Sequence, residues 1–250
     1  MALLSSRGVT KRFGGLAALT DLDLELSEGE VVGLIGQNGA GKTTLINMIT
    51  GVHKPDRGSI LFDGHELTRL APERITKLGI ARTFQIPQPF SGLTALENVI
   101  AGLVFGKKGA SLDEAEVEAR AILEFVGLTE KAAASPQGLT LVELRKLDLA
   151  RALASGAQLL LLDEINAGLT SSEIKEAVAL IERLRGRGMT VLMVEHVMRI
   201  IMSVCQRIIV LHFGRKIADG TPGEIARDPE VIRVYLGERR GTRGADRAGR

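Results

Sequence analysis

The most informative stretch of this 250-residue sequence is EVVGLIGQNGAGKTT, residues 30–44. Its apolar first half, EVVGLIG, is typical of a fully buried strand. The residues GQNGAGKT at 36–43 then fit the pattern G-x-x-x-x-G-K-[ST], and the helical run TTLINMIT overlaps and extends them. Glycines let backbone N–H groups wrap around phosphate oxygens, and the N-terminus of a following helix adds a favourable dipole. This succession of strand, loop and helix predicts a phosphate-binding loop rather than a chance glycine-rich turn.

The side chains of this loop have expected roles at a bound nucleotide. Lys42 supplies a positive charge to the β- and γ-phosphates, and Thr43 supplies a hydroxyl to Mg²⁺. A dinucleotide-binding loop is excluded by the spacing, because Thr44 stands where a third glycine is required after Gly39 and Gly41. The predicted nucleotide-binding residues of the loop are Gly36, Asn38, Gly39, Ala40, Gly41, Lys42, Thr43 and Thr44.

The run LLLLDE, residues 159–164, predicts the second half of a phosphoryl-transfer site. A buried strand brings Asp163 to its end, where the carboxylate can hold Mg²⁺ directly or through water. Glu164 follows and is suited to polarise an attacking water molecule. Two carboxylates at a strand end are also common in solvated turns, but the complete phosphate loop upstream favours the functional interpretation.

The remaining chain predicts an α/β fold with a mainly parallel sheet, because strand and helix patterns alternate over the last 100 residues. Further strands are expected at 22–30, 58–64, 158–164 and 189–196, helices at 95–105, 113–128 and 172–184, and a hairpin at 207–220 that turns at Gly214. The pattern turns helical from about residue 68. Residues 86–140 contain no clear buried strand, which indicates an inserted helical lobe.

Composition limits the possible partners. The net charge is +2, and the basic end of the chain at 239–250 is expected to be a solvated tail. With no Trp and one Tyr, the chain has little with which to build a base-stacking platform, so we expect no nucleic-acid partner. Cys205 is the only cysteine, which excludes an intrachain disulfide, and its apolar surroundings predict burial. No apolar run reaches the ~18 residues of a membrane span. We therefore expect a cytoplasmic chain that reaches the membrane through a partner.

Three smaller features complete a resemblance to the ATP-binding subunits of ABC transporters. They are Phe13 in VTKRFGG, Gln85 in ARTFQ and His196 in LMVEH, and the resemblance covers roughly residues 5–238. It implies that Phe13 stacks on the adenine of ATP, although a core aromatic is the alternative. It implies that Gln85 reaches Mg²⁺ and the attacking water and couples them to the membrane partner. It also implies that His196 contacts the γ-phosphate.

The same resemblance implies the architecture of an ABC ATPase. This fold has a P-loop NTPase core with a mainly parallel sheet, an N-terminal antiparallel β subdomain and an inserted helical lobe. In this chain the single domain would cover residues 1–238 and the lobe approximately 86–153. Glu164, His196 and Gln85 would be the catalytic residues, and Thr43, Gln85 and Asp163 the metal ligands.

Within that family, the chain is most similar to the subunits for branched-chain amino acid transport. The similar stretches are RFGGLAAL, ARTFQIPQPFSGLTALENV, VEHVM and GTPGEIARDPEVIRVYLGE. The resemblance implies an importer, with other amino acids, amides or urea remaining open as solutes. It also implies that the segment IPQPFSGLTALENV, residues 86–99, docks a membrane-spanning permease. A loop folded onto its own core is the alternative for this segment.

One segment departs from the family pattern. Residues Leu139, Thr140, Leu141, Val142 and Glu143 stand where most members have Leu-Ser-Gly-Gly-Gln. Thr140 and Glu143 have the spacing of a capping box, so a helix should still begin here. Val142 hinders the close backbone approach that glycine allows, and Glu143 adds unfavourable negative charge unless its side chain folds back into the cap. Ile165 and Thr170 are further departures, at positions where Pro and Asp are usual.

The family assembles two subunits head to tail, so the altered segment 140–143 would face ATP held by the partner. We therefore expect a heterodimer with a paralogous ATPase that has a more typical signature, with a homodimer as the alternative. The leading interpretation is an ATPase that powers transport. A nucleotide-binding regulatory or assembly subunit with weak turnover is the alternative that the altered segment raises.

Overall fold

The computed structural model describes residues 2–106, 111–163, 170–195 and 197–236. An antiparallel sheet forms from the first part of the chain, in the strand order β2-β1-β4-β5. Its strands are β1 Ala2–Phe13, β2 Leu16–Ser27, β4 Arg57–Phe62 and β5 His65–Glu66. This is the N-terminal antiparallel unit that the family resemblance implies.

A second sheet has the strand order β10-β9-β3-β8-β7-β6. Its strands are β3 Val31–Gly36, β6 Ile80–Arg82, β7 Leu159–Asp163, β8 Thr190–Val194, β9 Arg207–His212 and β10 Arg215–Gly220. All neighbours pair in parallel except β9 and β10, which form an antiparallel hairpin. The prediction of an α/β fold with a mainly parallel sheet is confirmed.

Seven of the described helices lie between strands in the chain, and the last two follow β10. They are α1 Lys42–Ile49, α2 Pro72–Leu78, α3 Ala95–Phe105, α4 Leu112–Val126, α5 Leu141–Ala154, α6 Ser171–Gly186, α7 Met198–Val204, α8 Pro222–Ile225 and α9 Pro229–Leu236. Helices α3, α4 and α5 pack on one another between β6 and β7 in the chain. None of the helices described is both long and apolar enough to cross a membrane.

Two hydrophobic clusters cover the two faces of the second sheet. On β7, Leu160 and Leu162 join the cluster that includes the helices α3–α6, whereas Leu159 and Leu161 join the cluster that includes α1 and the first sheet. Successive side chains of a strand point to opposite faces, so a strand buried on both faces must be apolar throughout. This explains the uninterrupted run LLLL in the sequence.

The turn at Gly214 was predicted correctly. Strand β9 ends at His212 and β10 begins at Arg215, and both turn residues, Phe213 and Gly214, have positive φ. A Cβ added to Gly214 would lie 2.6 Å from the carbonyl oxygen of Ala18, so the second position of the turn requires glycine.

Other predicted boundaries need correction. The strand expected at 22–30 is β2, which ends at Ser27 because Gly29, with φ 73°, turns the chain into β3. The helical pattern expected from residue 68 is interrupted by β6, because Gly79 ends α2 in the left-handed conformation. Strand β1 was not predicted, and its irregular register with β2 explains why its sequence lacks strict alternation.

Cys205 is buried, as predicted, at the end of α7. It packs beside Ile201 over Gly33, where an added Cβ would lie 3.1 Å from the cysteine sulfur. Burial raises the pKa of the thiol to about 12, which keeps it protonated and inert near neutral pH.

Candidate nucleotide site

The phosphate loop joins the end of β3 to the start of α1. Gly41, with φ 104°, precedes the helix, and the Leu45 N–H donates to its carbonyl at 2.9 Å as the first helical hydrogen bond. The N–H groups of the first turn have no acceptor within the helix and are suited to bind an anion. The parallel sheet brings the carboxyl ends of β3, β8, β7 and β6 to this same edge.

Two glycines of the loop are required by packing. A Cβ on Gly36 would lie 2.5 Å from the Leu211 carbonyl oxygen, and one on Gly41 would lie 2.6 Å from the Ala18 carbonyl oxygen. Real Cβ atoms do not approach backbone oxygen so closely, so a larger residue at either position would displace the loop from β9 or β2. These glycines therefore fix where the loop lies.

Lys42 is 6% exposed, and its ammonium group points back into the loop. The Nζ atom donates to the carbonyl oxygens of Gly36 at 2.7 Å and of Gln37 at 3.2 Å. The loop thus surrounds the charge that was predicted to bind the β- and γ-phosphates. Thr43 is exposed at the start of α1.

A chain of backbone hydrogen bonds holds the loop from outside. The Gly214 N–H donates to the Ala40 carbonyl at 3.0 Å, and the Thr20 N–H donates to the Gly214 carbonyl at 2.9 Å. The turn between β9 and β10 therefore connects the antiparallel sheet to the phosphate loop.

Asp163 is buried at the end of β7, where it pairs with Arg82 of β6. Their closest nitrogen and oxygen atoms lie 3.2 Å apart, and the Arg82 guanidinium also donates to the Asn47 amide oxygen on α1 at 2.7 Å. Burial lowers the pKa of Arg82, and the charge of Asp163 opposes that shift. Sequence reasoning missed Arg82, because it lies on a three-residue strand that no pattern revealed.

Gln85 lies in an exposed loop after β6. The N–H of its neighbour Phe84 donates to the carboxylate of Asp148 at 2.8 Å. Asp148 comes from α5, and burial raises its pKa above the usual range for aspartate. This contact joins the helix that begins at the altered segment to the loop that contains Gln85. The signal in the sequence is an aspartate between two leucines in LRKLDLARAL, three residues before Arg151, with which its carboxylate forms an ion pair at 3.7 Å.

The predicted permease-docking segment is held by its backbone. The buried Asn98 side chain accepts from the Phe90 N–H at 2.8 Å and donates to the Phe90 carbonyl at 3.1 Å. The Arg151 guanidinium donates to the Gln88 carbonyl at 2.8 Å and lies 4.6 Å from the centre of the Phe90 ring. Even so, Ile86 is 75% and Phe90 51% exposed. The main chain of this segment is therefore held against the rest of the protein, as the alternative interpretation expects. The side chains of Ile86 and Phe90 nevertheless face outward.

Phe13 ends β1 and is 44% exposed, so it is not the core aromatic that was the alternative interpretation. Its ring lies at 70° to that of His53, with ring centres 5.2 Å apart, and the Lys11 ammonium lies 5.5 Å from the Phe13 ring centre. Its stacking on adenine stays a prediction.

The altered segment begins α5 with a complete capping box. The Thr140 hydroxyl accepts from the Glu143 N–H at 3.3 Å, and the Glu143 carboxylate accepts from the Thr140 N–H at 2.8 Å. The hydrogen bond from the Thr140 backbone lowers the pKa of Glu143, and Lys131 adds an ion pair at 3.1 Å. The side chain of Glu143 is therefore folded back and its charge compensated, as the cap prediction requires. Leu141 is exposed and Val142 half-buried.

Several predictions fall outside the described residues. These concern Glu164, Ile165, His196 and the tail at 239–250. Thr170, which replaces the usual aspartate, begins α6 in another capping box, with its N–H donating to Glu173 at 2.7 Å.

Comparison with known families gives two matches. The pattern of the ABC transporter family matches residues 19–167. The pattern of the branched-chain amino acid ATP-binding cassette transporter family matches residues 215–240.

Relatives match along almost the whole chain. The high-affinity branched-chain amino acid transport ATP-binding protein LivG of Escherichia coli K12 is 41% identical, with 94% of this chain and 98% of LivG covered. The high-affinity branched-chain amino acid transport ATP-binding protein BraF of Pseudomonas aeruginosa is 40% identical, again with 94% of this chain and 98% of the relative covered.

Solved structures are similar in fold. The ADP conformation of MJ1267, an ATP-binding cassette of an ABC transporter, gives a TM-score of 0.84 at 30% identity, covering 95% of this chain and 100% of that one. A dimeric post-hydrolysis state of the cassette MJ0796, bound to ADP and Pi, gives 0.79 at 30% identity, covering 88% and 98%.

The cap of α5 can be tested by substitution. We expect Thr140→Ala to lower the free energy of unfolding by about 1 kcal/mol, because the Glu143 N–H loses its acceptor. Thr140→Ser keeps the hydroxyl and should retain most of the stability. Urea denaturation of the three proteins measures the difference. Equal stability of the Ala and Ser variants would contradict the cap.

Proposed function

The chain belongs to the ABC transporter family and is an ATPase, and from this premise we propose that it powers import of branched-chain or related amino acids through a membrane-spanning permease. The observation that carries the proposal is the preformed phosphate loop, with Lys42 enclosed and Asp163 at the same edge of the sheet. The match of residues 215–240 and the names of the relatives support the class of solute. They give no support to a purely regulatory subunit.

In the proposed complex, the loop at residues 36–43 wraps the phosphates of ATP. Lys42 offers its ammonium to the β- and γ-phosphates, and the first turn of α1 offers N–H groups. Phe13, exposed at the end of β1, stacks on the adenine. Thr44 and the backbone of Asn38 and Ala40 complete the nucleotide contacts.

The oxygen donors of the site fit Mg²⁺. Thr43, Gln85 and Asp163 offer a hydroxyl, an amide and a carboxylate oxygen, which are the hard ligands that this ion prefers beside substrate phosphates. The bound ion would neutralise charge on the phosphates as it develops. Arg82 holds one carboxylate oxygen of Asp163 and so limits the orientation of this ligand.

For hydrolysis, we assign Glu164 to polarise the attacking water and to accept its proton as the new bond to phosphorus forms. The water oxygen bonds to the γ-phosphorus, the bond from that phosphorus to the β–γ bridging oxygen breaks, and ADP and phosphate leave. Lys42 and His196 stabilise the charge that builds on the γ-phosphate. Gln85 orients the water, and through Phe84 and Asp148 its loop is connected to α5.

The proposed assembly is a head-to-tail dimer in which residues Thr140, Leu141, Val142 and Glu143 face ATP held by the partner. The side chain of Val142 limits approach to that ATP, whereas the Glu143 carboxylate is folded onto the Thr140 N–H and its charge is compensated by Lys131. This supports a heterodimer with a paralogous ATPase rather than a homodimer.

The proposed location is the inner face of the cell membrane. Exposed Ile86 and Phe90 supply an apolar contact for the permease, and the hydrogen bonds that hold the backbone of Gln88 and Phe90 favour a defined docking geometry. We further propose a single ATPase domain over residues 1–238, with the lobe at 86–153 and a solvated tail beyond. The mutual packing of α3, α4 and α5 supports the lobe.

The role of Glu164 is tested by Glu164→Gln. We expect unchanged ATP affinity and a turnover lowered by about 10²- to 10⁴-fold, because the amide cannot accept a proton from water. Phosphate release by the chain reconstituted with its permease measures turnover. Glu182→Gln, on the exposed face of α6, is the matched control. Wild-type turnover in Glu164→Gln would refute the assignment.

The heterodimer is tested by light scattering of the purified chain with Mg·ATP. We expect a monomer, and a dimer only when the paralogous ATPase is added, because the altered segment completes a second ATP site poorly. An ATP-dependent homodimer that hydrolyses ATP at both sites would remove the need for a paralogue.

A further inference from the structure

The C-terminal part of the described chain contacts the phosphate loop at two points. The first is the backbone bond from Gly214 to Ala40. The second is formed by the last helix, since the Gln37 side-chain amide donates to the Val234 carbonyl on α9. The two contacts involve different loop residues and different elements of the C-terminal region, so the loop is held on both sides of Asn38 and Gly39.

Helix α9 is itself anchored to the body of the protein. The Asp228 carboxylate accepts from the N–H groups of Glu230 at 2.8 Å and Val231 at 3.0 Å, which caps the start of the helix. Val231 is buried in the core, and Tyr235 packs against it. Burial raises the pKa of Tyr235 to about 12. The Val234 carbonyl therefore lies on a helix whose position is fixed by its contacts with the core.

Gln37 connects this helix to the phosphate lysine. Its side chain donates to Val234, while its backbone carbonyl accepts from Lys42 Nζ at 3.2 Å. Position 37 is unspecified in the phosphate-loop pattern, so binding of phosphate does not require glutamine there. The side chain is instead used in a contact with α9.

We propose that α9 positions the phosphate loop through Gln37, so that docking of this helix and binding of ATP are energetically coupled. The proposal rests on the assigned role of the loop as the ATP site and adds a positioning residue to it. Coupling is reciprocal, so ATP must stabilise the docking of α9 by the same factor by which docked α9 strengthens ATP binding. For one hydrogen bond that factor is about 2- to 10-fold.

The experiment uses the full-length chain and Mg·ATP, with affinity measured by calorimetry. Gln37→Met keeps the side-chain length and removes the donor, and we expect it to weaken ATP binding by about 2- to 10-fold. Gln137→Met is the matched control, because Gln137 is also exposed and also donates to a backbone carbonyl, that of Ser91 at 3.2 Å. It should bind ATP as the wild type does.

A second variant, at Val231 on α9, can affect the phosphate loop only through this helix. Val231→Ala loosens the buried face of the helix, and we expect weaker ATP binding in the wild-type background but no further loss in the Gln37→Met background. Hydrogen exchange supplies the reciprocal measurement. ATP should slow exchange of the amides at 230–236 in the wild type and leave it unchanged in Gln37→Met.

The possible outcomes distinguish failure of the proposed function from failure of the proposed coupling. If wild-type protein fails to bind ATP, the proposed function falls and the coupling falls with it. If wild-type protein binds ATP but Gln37→Met binds equally well, or ATP leaves exchange in α9 unchanged, only the coupling is overturned. Should Val231→Ala fail to fold, the comparison of Gln37→Met with Gln137→Met still decides the question.

Discussion

The structure of the site depends on the position of the phosphate loop, which the hydrogen bond from Gly214 to Ala40 fixes. This bond connects the loop to the β9–β10 turn, and the turn is bound to β2 through Thr20. Both sheets therefore hold the loop, and the close contacts of Gly36 and Gly41 leave it little freedom to shift. Since the loop is ordered by the protein itself, binding of nucleotide need not supply the free energy of ordering it.

Electrostatic contacts extend from this edge of the sheet to the outer surface. Arg82 joins Asp163 to α1, and its guanidinium stacks 4.7 Å from the Phe84 ring centre. Phe84 is bound to Asp148 of α5. A change in charge at Asp163 therefore acts on the Arg82 guanidinium. That group contacts Phe84, which lies in the loop that leads to the exposed Ile86. This is a physical connection between the nucleotide site and the surface proposed to contact the permease.

Features set by neighbouring residues could be predicted from the sequence. The phosphate loop, the hairpin at Gly214 and the cap joining Thr140 to Glu143 each follow from a short pattern. Contacts between distant segments could not be predicted in this way. Arg82 with Asp163, Asp148 with Phe84, and Gln37 with Val234 each join residues more than 60 positions apart. The three-residue strand β6 is also too short to produce a recognisable period, so Arg82, which lies on it, was missed.

The most direct measurement is the ATP dissociation constant of the isolated chain in two variants, Lys42→Ala and Val142→Gly. If the nucleotide site is complete within this chain and the altered segment serves only a partner, Lys42→Ala abolishes binding, whereas Val142→Gly binds as the wild type does. Wild-type affinity in Lys42→Ala, or a changed affinity in monomeric Val142→Gly, would contradict that division of roles.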